Sequence, residues 1–415
     1  MTKSSGPVPA EFDADGAQML LIGGHRADAL VSQAGDTPLF VYDLAMIDRR
    51  IARFRAAFPH TDLHYAMKAN PYRPLLQHVW KQVDGVDLAS GGELAMALDA
   101  GVDGRATSFA GPGKRDADLE AAVAAGVTLN CESEGEAERT LAIAARLGVT
   151  PRVAVRVNPD FELKGSGMRM GGGAKPFGVD AARVPALVRR LTQGGAEFRG
   201  YHIFAGSQAL SADALIEAQR ASVALARDLT HASGVTPPLV NLGGGFGIPY
   251  FHGEQPVDIE RIGAALHETL AAQGPSETRY AIELGRWLVG EAGVYLTRIV
   301  DRKISHGKTF LVTDGGMQHQ LAASGNFGQV VRRNFPIAIA SRFGAAPEEE
   351  ASIVGCLCTP LDRLADDVMT PKAEVGDLVA VFVAGAYGLS ASPQAFLAQQ
   401  SAREMVVGGE ETPPN

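Results

Sequence analysis

The sequence predicts an α/β fold in two parts: a closed parallel barrel of eight βα units over residues 36–287, and a mostly β domain built from residues 1–35 and 288–415. Three observations predict it. From His64 onward a short apolar strand, a turn or cap and an alanine-rich helix recur until eight strands have passed, the number a closed barrel requires. The first strand-to-helix turn carries no dinucleotide-binding glycine pattern, the usual mark of an open doubly wound sheet. After Arg286 the helical texture gives way to apolar runs separated by polar turns such as Glu374-Val375-Gly376-Asp377, which reads as sheet.

In order, Leu20 to Val31 holds short apolar runs suited to strand edges of a domain completed much later in the chain. Thr37 to Asp43 reads as a strand, and Asp43 then caps a helix whose apolar face is Ile47, Ile51, Phe54 and Phe58. The barrel strands are predicted at His64–Lys68, Val86–Ala89, Thr107–Ala110, Thr128–Cys131, Arg152–Val157, Gly200–Ala205, Leu239–Leu242 and Tyr280–Leu284. Ser90 with Glu93 and Ser133 with Glu136 have capping-box spacing directly after strands, and Gly101 and Gly148 suit the closing positions of those helices. The later domain takes strands at Val289–Ile299, Thr309–Thr313, Ile353–Leu357 and Leu378–Val383.

The chain has 415 residues, 46% hydrophobic and 20% charged, enough for two domains with large cores. A net charge of -9 argues against nucleic acid or an anionic membrane as the main partner. Cys131, Cys356 and Cys358 form an odd set that fits a reducing cytoplasm. Met1 to Asp15 has a lone Lys3 and no apolar run behind it, so it reads as neither signal peptide nor membrane anchor, and Gly408–Asn415 is expected to fray.

Chemistry on such a barrel gathers at the carboxyl ends of the strands. The polar residues found there are Lys68, Asp87, Arg156, His202, Ser207, Glu283 and Arg286, together with Gly243, Gly244 and Gly245. Alternation along a strand His64–Lys68 puts Ala66 and Lys68 on one face and Tyr65 and Met67 on the other. An amine at that strand end, walled by apolar groups, loses solvation of its charged form and becomes a nucleophile. Three successive glycines after the seventh strand let backbone amides approach an anion.

These segments occur together and in order: Tyr65-Ala66-Met67-Lys68-Ala69-Asn70, His202 to Gln208, Gly243-Gly244-Gly245-Phe246-Gly247, Glu283-Leu284-Gly285-Arg286, Asp314-Gly315-Gly316-Met317, Gly355 to Asp362 and Gly385-Ala386-Tyr387-Gly388. On them the chain resembles the fold-type III pyridoxal-phosphate decarboxylases, the diaminopimelate, ornithine and arginine decarboxylases, whose TIM barrel is of the alanine racemase kind. The resemblance implies pyridoxal 5'-phosphate as cofactor and no metal. Lys68 would hold it as a Schiff base, with Ser207, Gly245, Gly285, Arg286 and Tyr387 at its phosphate and Glu283 at its ring nitrogen. Asp87, Arg156, His202, Phe204, Gly243 and Gly244 complete the implied cofactor set. Cys358 would protonate Cα from the neighbouring subunit of a homodimer, the β-rich domain thereby completing its partner's active site.

The chain also departs from these relatives. Thr359 follows Cys358 where diaminopimelate and ornithine decarboxylases carry an acidic residue that receives a distal amine, so basic substrates become poor candidates; Asp362 is the remaining carboxylate. Phe204 stands where many relatives stack a histidine on the cofactor ring, with His202 two residues earlier, and Leu284 replaces a usual proline. The glycine-rich loop Lys164–Gly178 is expected to be a mobile lid offering Arg169 and Lys175 to an anionic group. Substrate-side positions are thus Arg169, Asp314, Thr359 and Asp362. These departures most resemble the butirosin-type and exosortase-associated branch, which implies a non-basic, glutamyl or aspartyl-type substrate tethered to an acyl carrier protein in an antibiotic-type biosynthetic pathway. An acidic carrier requires a basic patch, for which Arg332 and Arg333 are candidates. The alternatives are a free amino-acid decarboxylase of the diaminopimelate type, a racemase of the same fold, against which Glu283 counts, and a silent regulator that keeps only the fold.

Overall fold

The computed structural model describes residues 2–275 and 277–409, the side chain of Arg169 excepted. The chain forms two compact units, one of residues 51–248 and 256–285, the other of residues up to Arg50, Pro249–Gln255 and the chain from Arg286 onward.

The first unit is the barrel. Its strands are β1 (Asp62–Ala66), β2 (Gly85–Leu88), β3 (Thr107–Phe109), β4 (Thr128–Cys131), β5 (Arg152–Asn158), β6 (Glu197–Ile203), β7 (Leu239–Asn241) and β8 (Arg279–Leu284). Each pairs in parallel with the next, and β8 closes on β1 with Glu283 opposite His64. All eight predicted strands are present, shifted by up to three residues at their ends. A ninth short strand, Val179–Asp180, adds to β5 outside the closed ring. The strands are buried almost throughout because helices cover the outside and side chains fill the inside, so they read as apolar runs rather than alternation.

Helix starts follow the cap chemistry with one shift. Ser90 and Ser133 accept from the amides of Glu93 and Glu136, as expected. The glutamates, however, reach back to Ala89 N (2.6 Å) and Glu132 N (3.3 Å), one residue before the serine. Gly148 closes the helix Glu134–Leu147 in the left-handed conformation. Asp43 Oδ1 accepts from Ala45 N at 2.9 Å and Met46 N at 3.3 Å, opening the helix Leu44–Ala57, and Ile47, Ile51, Phe54 and Phe58 are all buried.

The second unit is dominated by an eight-stranded sheet centred on the long strand Gly293–Ser305. Its neighbours include Lys308–Thr313, Leu378–Val381 and Leu39–Asp43. Leu39–Asp43, which the sequence places on the barrel side of the domain boundary, thus pairs in this sheet, where it also meets Arg403–Val407 in parallel. A small three-stranded sheet, Asp13–Ala14, Leu20–Ile22 and His25–Arg26, belongs to the same unit. The strands Arg363–Thr370, Ile337–Ile339 and Arg403–Val407 were not legible beforehand, since acidic or arginine residues interrupt two of them and the third is three residues long. The tail expected to fray lies outside the described residues from position 410. Among the described residues no helix is long and apolar enough to cross a membrane.

One glycine fixes the register of β6. Pairing with β5 shifts between Phe198 and Gly200; Gly200 has φ +123°, and a Cβ there would lie 1.7 Å from the carbonyl oxygen of Leu239 on β7. Gly200→Ala is therefore expected to cost about 2–3 kcal/mol, read as a fall in the thermal midpoint well beyond that of Gly148→Ala, which meets no atom within 4 Å. Equal midpoints for the two variants would refute this account of β6.

Candidate active site

Strand β1 stops at Ala66, and Met67–Ala69 form one 3-10 turn. Lys68 is therefore delivered by a turn, which corrects the alternation expected from a strand running to Lys68. Asn70 closes the turn: its amide donates to Met67 O (3.0 Å), its carbonyl accepts from Tyr65 Oη (2.8 Å), and its Oδ1 accepts from Tyr72 N (3.0 Å). Met67 is fully buried while the Lys68 side chain keeps 39% of its exposure, so the amine is reachable by a ligand. Its Nζ lies 3.3 Å from Glu283 Oε1 and 5.1 Å from the centroid of the Phe204 ring.

Glu283, on β8, is 4% exposed in its side chain and accepts from His202 Nε2 at Oε2, 3.1 Å away. Burial pushes its carboxyl up, but the Lys68 charge, the His202 hydrogen bond and the more distant Arg156 outweigh it and hold the group well below the usual carboxylate range. An ion pair at this separation is worth about 5 kcal/mol at an effective dielectric of 20 before solvent at the half-open lysine reduces it. That at best offsets the several kcal/mol cost of burying the charge, so the His202 hydrogen bond is needed as well. His202 is thus more than a strand histidine, and its Nδ1 is buried without a partner among the described residues. Phe204 follows two residues later, its ring centroid 6.3 Å from that of His202.

Below these groups the barrel interior is polar. Asp87 accepts from His64 Nδ1 (3.2 Å), Ser108 Oγ (2.5 Å) and Asn241 Nδ2 (3.4 Å), and Asn241 Oδ1 accepts from Gly243 N (2.8 Å). Asp87, expected among the cofactor contacts, is therefore tied to the floor of the glycine turn. Burial disfavours the His64 imidazolium, but the Asp87, Asp62 and Glu283 charges prevail and raise its pKa above the ordinary value. Arg156 is likewise engaged: its Nη1 donates to Glu132 Oε1 at 2.8 Å, and Glu132 also accepts from the amides of Gly111 and Gly178.

The glycine turn presses on the backbone of β8. Glu283 N donates to Gly243 O (2.8 Å), and a Cβ on Gly244 would lie 1.8 Å from Glu283 O. Gly245 has φ +84°, and a Cβ there would lie 2.4 Å from Gly206 O, beside Ser207. Only glycine lets the turn approach both segments, which leaves a backbone cradle for an anion. The loop expected to be a free lid is anchored: Met168–Arg169 pairs antiparallel with Gly206–Ser207, Gly171 N donates to Ala205 O (3.1 Å), and Gly178 N reaches Glu132. The Arg169 side chain lies outside the described residues.

In the other unit, Arg286 begins the one-turn helix Arg286–Val289. Its Nη1 donates to Tyr250 Oη (2.7 Å), its guanidinium lies 4.6 Å from the Tyr387 ring centroid, and its Nε is buried with no partner among the described residues. Cys358 is an exposed thiol, not the small buried hydrophobe that most free cysteines become, whereas Cys356 is half-buried and accepts from Gln318 Nε2 at 3.2 Å. The turn carrying Cys358 is held by Asp362, which accepts from Leu357 N (2.8 Å) and Met317 N (2.7 Å) and is 2% exposed. Asp314 accepts from Thr37 Oγ1, Thr297 Oγ1 and Arg298 N at 2.5, 2.5 and 2.9 Å. Both carboxylates, expected on the substrate side, are thus engaged in holding loops, while Thr359 Oγ1 accepts from Leu361 N (3.3 Å) within the cysteine turn. Arg332 is spent on Asp366 and the carbonyls of Ser324 and Arg363, and Arg333 lies over Phe251 and pairs with Glu254. The pair is a weaker basic patch than its sequence suggests.

A half-open lysine beside a buried carboxylate, an aromatic face and a glycine cradle fit an aldehyde cofactor with a basic ring nitrogen and a phosphate. Comparison with known proteins agrees. Residues 44–290 match the family described as pyridoxal-dependent decarboxylase, pyridoxal binding domain. The chain is 36% identical over 382 residues to the L-glutamyl-[BtrI acyl-carrier protein] decarboxylase of Niallia circulans, covering 89% of each. It is 32% identical over 400 residues to the diaminopimelate decarboxylase of Archaeoglobus fulgidus, covering 94% of this chain and 92% of that one. The diaminopimelate decarboxylase of M. jannaschii solved with L-lysine superposes with a TM-score of 0.86 at 26% identity, covering 96% and 93% of the two chains. The chain belongs to the fold-type III pyridoxal-phosphate-dependent amino-acid decarboxylases.

Proposed function

We propose that this enzyme removes the α-carboxylate of an acidic amino acid, glutamyl or aspartyl in type, carried as a thioester on an acyl carrier protein. The observation that carries the reading is the turn Cys358-Thr359-Pro360-Leu361-Asp362, which offers a distal amine no free carboxylate. Thr359 is uncharged, and Asp362 is buried with each oxygen already accepting from a backbone amide. A lysine, ornithine or diaminopimelate ammonium would be desolvated there with no exposed carboxylate to receive it, a cost of several kcal/mol. The similarity to a carrier-protein glutamyl decarboxylase supports the same substrate class. Similarity to diaminopimelate decarboxylases favours the free-substrate alternative, but the engagement of Asp362 counts against it.

When bound, pyridoxal phosphate supplies an aldehyde for the amine and an electron-poor ring that accepts the pair released as the Cα–carboxylate bond breaks and carbon dioxide leaves. Lys68 would hold the cofactor through its aldehyde, Glu283 would keep a proton on the ring nitrogen, and His202 orients Glu283. Phe204, its ring 5.1 Å from Lys68 Nζ, would offer the cofactor an aromatic face but, lacking a titratable group, no proton. Ser207, the amides at Gly243 to Gly245 and Gly285, and Arg286 with Tyr387 would take the phosphate. Asp87 and Arg156 brace the cradle and the anchored loop through Asn241 and Glu132. The exposed Cys358 thiol belongs to the site of a second copy in a homodimer, where it returns a proton to Cα. Arg169 and Lys175 on the anchored loop supply positive charge for the acidic substrate. Three free cysteines suit a reducing cytoplasm.

Carbon dioxide release from glutamate and aspartate, each free and carrier-loaded, and from free lysine and diaminopimelate tests the substrate. Carrier-loaded glutamate or aspartate should exceed every free amino acid by at least about a hundredfold in kcat/KM; preference for free diaminopimelate would overturn the reading. Cys358→Ala should lower kcat by about a hundredfold or more, the usual worth of a placed general acid, with cofactor absorbance unchanged. Full activity in that variant would remove Cys358 from the chemistry.

A further inference from the structure

Arg286 is a buried cation with no carboxylate within ion-pair distance among the described residues. Its surroundings are two aromatic faces, Tyr387 at 4.6 Å and Tyr250 at 5.5 Å, and one acceptor, the Tyr250 hydroxyl at 2.7 Å from Nη1. Its Nε is buried with no hydrogen-bond partner among the described residues. Such a guanidinium is stabilised by the rings yet left short of negative charge, which suits an anion that arrives from outside.

Tyr250 is fixed far more firmly than an incidental neighbour requires. It is 6% exposed, and its ring packs on Phe335 at 4.8 Å. The amides of Tyr250 and Phe251 both donate to Glu254 Oε2, at 2.9 and 3.1 Å. From the other side the N-terminal segment closes on its carbonyl: a Cβ on Gly6 would lie 2.0 Å from Tyr250 O and 2.9 Å from Pro336 Cδ. That segment is itself fastened, with Gly6 N donating to Asn334 O at 3.1 Å and Ser5 bridging Asn334 in parallel. Burial also pushes the Tyr250 phenol up, so its hydroxyl stays neutral beside the guanidinium.

We propose that Tyr250, locked between Phe335 and the N-terminal strap at Gly6, is a positioning residue that aims Arg286 at the phosphate of the cofactor. It rests on the reading that Arg286 binds that phosphate. The strap is then part of the cofactor site although it touches no ligand. Substitution at Gly6 loosens cofactor binding through Tyr250.

The test is a spectroscopic titration of the cofactor-free protein with pyridoxal phosphate and with pyridoxal, which lacks the phosphate. The ratio of the two Kd values isolates what the phosphate contributes. Tyr250→Phe keeps the ring and removes only the acceptor; it should shrink the ratio about tenfold, the worth of one hydrogen bond to a charged group, with the Kd for pyridoxal within about twofold of wild type. Gly6→Ala should shrink the ratio in the same sense, and Arg286→Gln should shrink it by at least as much as Tyr250→Phe. A wild-type ratio in Tyr250→Phe, or equal weakening of both ligands, overturns the proposal while a reduced ratio in Arg286→Gln keeps the phosphate reading. A wild-type ratio in Gly6→Ala overturns the role of the strap. A wild-type ratio in Arg286→Gln overturns the phosphate reading and the proposal with it.

Discussion

The structure turns on one buried carboxylate that has to stay charged. Glu283 has almost no contact with water, so its ionised form depends on Lys68, 3.3 Å from one oxygen, on His202, 3.1 Å from the other, and on the more distant Arg156 charge. The partly solvated Lys68 pair at best offsets the burial cost, so the His202 hydrogen bond and the Arg156 charge supply the margin. The barrel supplies the three from different strands: β8 for the acid, β6 for the imidazole, and the turn after β1 for the amine. Because β8 and β1 are hydrogen-bonded neighbours, the acid and the amine meet across a fixed register. A loop-borne pair would lack that constraint.

The glycine turn serves the same carboxylate from behind. Gly243 O accepts from the Glu283 amide and Gly244 sits against the Glu283 carbonyl, so the anion cradle and the acid share one stretch of backbone. Asn241 links Gly243 downward to Asp87 and thence to His64 and Ser108, which makes the polar interior of the barrel a support for the turn. This explains why residues at the carboxyl ends of strands fall into two kinds. Lys68, Glu283 and His202 gather around the half-open amine, whereas Asp87 and Arg156 are engaged by buried protein partners.

Much of this was legible in the sequence for physical reasons. Eight apolar runs with caps between them specify a closed parallel barrel because strands buried on both faces cannot alternate, and Lys68, the triple glycine and Glu283 stand at strand ends where such barrels carry chemistry. The 3-10 turn at Met67–Ala69 was hidden because the run His64–Lys68 has strand-like residues throughout, and the bonds by which the Asn70 side chain and carbonyl organise the turn emerge only in three dimensions. Asp314 and Asp362 looked available because a sequence does not show which carboxylates are consumed by backbone amides. Tyr250 carried a weak signal, a Pro-Tyr pair soon after the glycine turn, but its contact with Arg286 joins positions 36 apart in the chain and emerges only in three dimensions.

If the ionised Glu283 is what makes the ring an electron acceptor, the protonation state of the ring nitrogen is the quantity to measure. Nitrogen-15 NMR of the holoenzyme reconstituted with ring-labelled pyridoxal phosphate reads it directly. The account predicts a protonated ring nitrogen in the wild type at neutral pH and an unprotonated one in Glu283→Gln. An unprotonated nitrogen in the wild type, or a protonated one that survives the substitution, would contradict it.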